Sequence, residues 1–87
     1  IRKMKTKQNI IAKFERKYSV GKSMITIEKV SENQFEICTY VSVKIEGRKT
    51  ETRVYSLYDD KTYAEVAFFE MVQNYIKTGS FKHKLYQ

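Results

Sequence analysis

The chain has 87 residues, carries a formal net charge of +7, and is 41% hydrophobic and 14% aromatic. That is enough for one domain, too few for two, and outside the disordered range. A single cysteine, Cys38, excludes an internal disulfide framework, and no run of ~18 apolar residues is present to span a membrane as a helix.

Taken in chain order, residues 6–18 read as a helix. Ile10, Ile11, Phe14 and Tyr18 follow the i, i+3/i+4 spacing of a buried stripe, with Lys13, Arg16 and Lys17 off it and Gly21 as a stop. Residues 23–30 read as a strand. Residues 35–45 alternate most clearly: Phe35, Ile37, Val41, Val43 and Ile45 on an apolar face, Glu36, Cys38, Tyr40, Ser42 and Lys44 on a polar one. Residues 49–58 make a third strand.

The turns set the register. A two-residue turn at Gly47-Arg48, with Gly first as in type II′, places Val41 opposite Val54, Val43 opposite Thr52 and Ile37 opposite Tyr58. On the outer side it places Lys44 opposite Glu51, Glu46 opposite Lys49 and Tyr40 opposite Tyr55. In the preceding hairpin, a three-residue loop Ser31-Glu32-Asn33 with Asn33 left-handed turns Ile25 and Ile27 to the apolar face. A two-residue loop would turn them outward.

Residues 63–77 read as a second helix. Thr62 and Glu65 form a T-x-x-E capping box, Asp59 and Asp60 lie near the positive helix end, and Gly79 is the stop. Ala64, Phe68, Met71, Val72 and Tyr75 make its core stripe, broadened by Tyr63, Val66 and Phe69. The expected fold is α+β, a three-stranded antiparallel sheet with two helices on one face, in the order α-β-β-β-α. It forms one domain over 1–87. Residues 1–5 and 80–87 are expected to be flexible or extended tails, the last one able to supply an edge strand.

Charge is unevenly spread. Residues 1–22 hold eight Lys/Arg against the single acid Glu15, residues 23–60 five against seven, and residues 61–87 four against two. The excess therefore lies at the two ends, a footprint suited to a polyanion. Nothing argues for catalysis, a metal or a cofactor. His83 is the sole histidine and lies in the tail, far from Cys38, and Gly21, Gly47 and Gly79 are isolated turn residues that form no phosphate loop. Asp59-Asp60 suits capping better than paired-carboxylate chemistry.

Two surfaces are candidates for binding. One is the polar sheet face with Tyr40, Lys44, Arg53 and Tyr55, continued by Arg48 and Lys49 at the hairpin tip. The other is the first helix with Lys13, Arg16 and Lys17. Basic groups among aromatics suit phosphate neutralisation with groove contacts or base stacking.

Residues 39–69, TYVSVKIEGRKTETRVYSLYDDKTYAEVAFF, resemble the AP2-like DNA-binding domains, including the arm-binding domains of mobile-element integrases. Tyr58, Asp59, Ala64 and Ala67 match the aromatic, acidic turn and Ala-rich helix of that pattern. The resemblance implies a sheet face in the DNA major groove, with Arg48, Lys49, Arg53, Lys44, Tyr40 and Tyr55 in contact. The extra N-terminal element, the absence of Trp and Glu51 within the contact face depart from it. The order α-β-β-β-α also matches double-stranded-RNA-binding domains, but their second helix begins with a basic cluster, and this one begins Asp59-Asp60-Lys61.

The expected function is a small nucleic-acid-binding module, for DNA before RNA and for the duplex form, in a regulatory or recombination role such as a phage or mobile element uses. The alternative is an inhibitor or adaptor docking on an acidic or nucleic-acid-binding groove of another protein. A homodimer through Val66 and Phe69 is a further possibility, and no membrane partner is expected. With one cysteine, and no apolar segment after the basic N-terminal stretch, the expected location is cytoplasmic.

Overall fold

The computed structural model describes residues 9–81. Four strands, β1 (Ile10–Tyr18), β2 (Gly21–Ser31), β3 (Gln34–Ile45) and β4 (Arg48–Tyr58), precede one helix, α1 (Lys61–Thr78). The strands form an antiparallel meander in the order β1-β2-β3-β4, and α1 packs across one face. The architecture is thus β-β-β-β-α.

This corrects the expected α-β-β-β-α order and three-stranded sheet. The segment expected as a first helix is β1 over its described part, while residues 6–8 lie outside the described residues. Two readings fit its apolar residues. From Ala12 onward they alternate as well as they follow a helical stripe, with Ala12, Phe14 and Tyr18 on one side and Lys13, Glu15 and Lys17 on the other. The Ile10-Ile11 doublet that suggested helical spacing is the irregular part, where the β1–β2 register shifts between Ile10 and Ala12. An extra residue in a strand moves the following side chains to the other face. Pairing with β2, and the packing of half-buried Phe14 and Ala12 against the core, then decide for the strand. Gly21 begins β2. A Cβ on it would lie 1.8 Å from the Ser42 carbonyl oxygen, so only glycine allows the two backbones to approach there.

The β2–β3 hairpin reaches the expected facing by a different route. Ser31 pairs with Gln34 around the two-residue turn Glu32-Asn33, and a register shift between Lys29 and Ser31 adds one residue. Asn33 is not left-handed, since Glu46 alone among the described non-glycine residues has positive φ. The irregularity at Val30 does the work assigned to a third loop residue, and Ile25 and Ile27 are buried.

In the β3–β4 hairpin the turn residues are Glu46 and Gly47, with φ of 52° and 80°, and Ile45 pairs with Arg48. Positive φ at both positions is the type I′ pattern, whose twist matches the strands. The turn therefore sits one residue earlier than the expected Gly47-Arg48, and every pair slips by two. Val41 faces Thr52, Val43 faces Thr50, Ile37 faces Ser56, Lys44 faces Lys49 and Tyr40 faces Arg53. A slip of two keeps each side chain on its expected face.

The core lies between the sheet and α1. Ile25, Ile27, Phe35 and Ile37 meet Ala64, Ala67, Met71 and Tyr75, with Phe81 closing one end. The alanines let the helix backbone approach the sheet closely. Asp60 caps α1 by accepting from the Thr62 and Tyr63 amides, the role expected of Thr62. Gly79 ends it in the left-handed conformation, φ 82°. Tyr75 ties β1 to the helix: its hydroxyl hydrogen-bonds that of Tyr18, and its ring meets Phe14 edge-on and stacks on Phe81. Tyr63, Val66 and Phe69 do not broaden the core stripe but are exposed.

Candidate nucleic-acid interface

Among the described residues, one helix covers one face of the sheet and the other face is open. Strand alternation and the observed registers assign the open face row by row. Lys17, Lys22, Ser42 and Glu51 form one row across the four strands; Glu15, Met24, Tyr40 and Arg53 the next; Lys13, Thr26, Cys38 and Tyr55 the third. Glu28, Glu36 and Leu57 continue towards the acidic end. Beyond the first row, Lys44 faces Lys49 where β3 and β4 run past the β1–β2 turn. The Lys44 amide there donates to the Val20 carbonyl at 2.7 Å. The face is therefore polar in both senses: basic at the β3–β4 tip, acidic at the opposite end.

The structure brings together Lys17, Tyr40, Lys44, Lys49, Arg53 and Tyr55, with Lys13 at the margin. It does not bring Arg16 to them. Arg16 alternates onto the helix side, its guanidinium carbon 5.8 Å from the Phe14 ring centroid. The expected cluster of Lys13, Arg16 and Lys17 on one helix surface is thus split between two sheet faces. Arg48 likewise belongs to the row opposite Lys49, although both are exposed at the tip. Lys22 was missed by sequence reasoning. Its signal was its even-numbered place alongside Met24 and Thr26, which only a β2 beginning at Gly21 makes legible.

Tyr40 has a different part from the one expected. It is buried on the open face, under Arg53 at 4.5 Å and beside Lys22 at 6.0 Å from its ring centroid. Its hydroxyl donates to Glu51 Oε2 at 2.8 Å, and Lys49 Nζ lies 3.2 Å from the same oxygen. These two bonds, the Tyr40 one foremost, hold the Glu51 carboxyl below its ordinary range. Lys49, and not Lys44, is the cation Glu51 engages. Glu15 is lowered in the same way, chiefly by Lys22, whose ammonium is 3.3 Å away, with Lys13 at 3.9 Å.

Lys17, Lys22, Tyr40, Ser42 and Lys49 surround a shallow depression at the basic end. Each lysine has three N–H donors, so a single carboxylate contact leaves donors for another oxygen ligand. Among the described residues, Tyr55 is the one tyrosine of this face that is well exposed, at 57%. Cys38 sits between Thr26 and Tyr55, and burial pushes its thiol pKa up, away from a reactive thiolate. Among the described residues no group of three or more His, Cys, Asp or Glu is placed to hold a metal. His83 lies outside the described residues, as do Arg2, Lys3, Lys5 and Lys7.

Comparison with known proteins returns no match to the chain among family models, curated proteins or solved structures. No helix among the described residues is long and apolar enough to cross a membrane.

Proposed function

We propose that this chain is a cytoplasmic nucleic-acid-binding module that takes duplex DNA on the open sheet face, in a regulatory or recombination setting. The observation that carries this reading is the gathering of Lys17, Lys22, Lys44, Lys49 and Arg53 at one end of that face, continued by the β3–β4 hairpin tip, whose last pairs, Lys44–Lys49 and Ile45–Arg48, lie beyond the end of β2. A two-stranded ribbon fits the major groove, and lysines at its root reach the flanking phosphates.

The aromatic distribution favours duplex over single strands. A single-strand platform stacks successive bases on successive exposed rings. Here Tyr40 is covered by Arg53, which leaves Tyr55 as the exposed ring of the face. Residues 39–69, which carry the AP2-like resemblance, lie on β3, β4 and the first half of α1. By that resemblance the sheet is the surface that enters the groove.

The test is titration of labelled duplex into the protein at several salt concentrations, with a single strand of the same sequence in parallel. Duplex binding that falls linearly in log–log form with salt is the expected result. No binding at micromolar protein and ~50 mM salt overturns the reading, because even nonspecific binders are detectable there.

A further inference from the structure

β4 is an edge strand of eleven residues, and most of it is exposed. The other edge, β1, is guarded by the irregularity at Ile11 and by the charges of Lys13, Glu15, Arg16 and Lys17. On β4 the row facing the helix side is uncharged through Thr50, Thr52, Val54 and Ser56. The helix does not reach far enough to cover it. Thr52 and Val54 line an apolar groove with Val41, Met71 and Phe81, and Val54 remains 48% exposed.

The direction of the outer hydrogen-bonding groups follows from the hairpin. Ile45 and Arg48 close a two-residue turn and so form a hydrogen-bonded pair. Even-numbered β4 residues therefore spend their backbone groups on β3, and the odd-numbered ones, Lys49 to Leu57, present theirs outward. The Lys44 amide, bonded to Val20 on the β2 side of β3, agrees with this phase. Among the described residues no strand takes up that outward row.

We propose that β4 pairs with the β4 of a second copy of this chain, antiparallel and centred on Thr52, joining two sheets into one of eight strands. Charge complementarity together with the length of strand paired selects the partner and the register: centring on Thr50 also sets opposite charges together, Lys49 against Glu51, but keeps only Arg48–Thr52 of β4 in the ladder. Centred on Thr52, Glu51 of each copy faces Arg53 of the other, twice by symmetry. Lys49 faces Tyr55, Thr50 faces Val54, and Thr52 meets its own copy. These are favourable cross-strand combinations. Centring on Arg53 opposes two arginines, and centring on Glu51 opposes two glutamates. Centring on Val54 leaves both charges opposite uncharged residues. The pairing also lays the partner's Thr50 and Thr52 beside the exposed Val54 and Thr52 of the groove.

The test is sedimentation equilibrium of the full chain up to ~100 µM, since an edge-strand interface of this size is expected to be weak. Wild type should approach twice the monomer mass. Glu51→Arg and Arg53→Glu should each weaken self-association ~10-fold or more, because two attractive pairs become two repulsive ones. Mixing the two variants should restore association. One chain then presents two arginines and the other two glutamates, so both cross-pairs are attractive again.

Tyr55→Pro, which removes an outward amide and no β3 bond, should abolish the dimer while leaving the circular dichroism spectrum unchanged. A wild type that stays monomeric at ~100 µM overturns the proposal. So does a dimer insensitive to both charge reversals, which would place the contact elsewhere, such as the exposed Phe69 on α1. Failure of the mixture to associate when each variant is folded overturns it too. None of these outcomes depends on DNA binding.

Discussion

Arg53 covers Tyr40. The guanidinium carbon lies 4.5 Å from the ring centroid, while the Tyr40 hydroxyl reaches across the hairpin to Glu51 at 2.8 Å. A tyrosine held on its face by a cation and at its tip by a carboxylate supports the sheet and is not free to stack on a base. Tyr55, one row away, is free to do so.

The two tyrosines should therefore separate in experiment. Tyr40→Ala is expected to cost about 2–4 kcal/mol in stability, the range for deleting a well-buried large side chain. Tyr55→Ala should lower stability by less than about 1 kcal/mol and weaken duplex binding in proportion to its contact. Urea unfolding and binding titrations on the two variants check this. Equal stability losses would mean that Tyr40 is not held as described.

Arg16 and Lys17 are adjacent in sequence and lie on opposite faces of the sheet. Lys17→Ala should lower the slope of log K against log salt by about 1 for duplex DNA, while Arg16→Ala should leave it unchanged. A helical surface would make both residues count. Measuring the salt slope of each variant decides between strand and helix as well as locating the footprint.

Glu51 and Glu15 both titrate below the ordinary value of 4.5 in the folded protein. For a lowered carboxylate the stabilisation is fully present above the unfolded-state value and disappears as pH falls through the folded-state value. Stability should therefore decline on acidification from about pH 5 downward. Glu51→Gln should show a shallower decline than wild type over that window, read as the urea midpoint against pH. Solvent reaches both carboxylates, Glu51 more than the half-buried Glu15, so the effect should shrink in high salt.

The turn at Glu46-Gly47 carries a non-glycine residue at φ 52°. Asparagine tolerates that conformation better, so Glu46→Asn should stabilise the protein by about 0.5–1 kcal/mol in thermal unfolding. Gly21→Ala should act in the opposite direction by more than about 2 kcal/mol, because its methyl would collide with the Ser42 carbonyl rather than with a movable side chain.

Local signals in the sequence carried the last three strands and the final helix close to their observed limits. The period-two alternation of residues 35–45, the Asp and Gly flanking α1, and the parity that places Tyr40, Lys44, Arg53 and Tyr55 on one face could each be read from the chain alone. These rest on interactions within a few residues. β1 could not be read in this way. Ile10, Ile11, Phe14 and Tyr18 fit a helical stripe, and the alternation from Ala12 fits a strand. The choice between them came from pairing with β2 and from Tyr75, 57 positions beyond Tyr18. Register was equally non-local: moving the turn by one residue exchanged Tyr55 for Arg53 opposite Tyr40 without changing any local pattern. The sequence by itself determined which side chains are basic, which are aromatic and, over β3 and β4, which share a face. Only the tertiary structure decided that Arg16 leaves the basic surface, that Lys22 joins it, and that Tyr40 is covered, because each depends on which strand lies alongside and in what register.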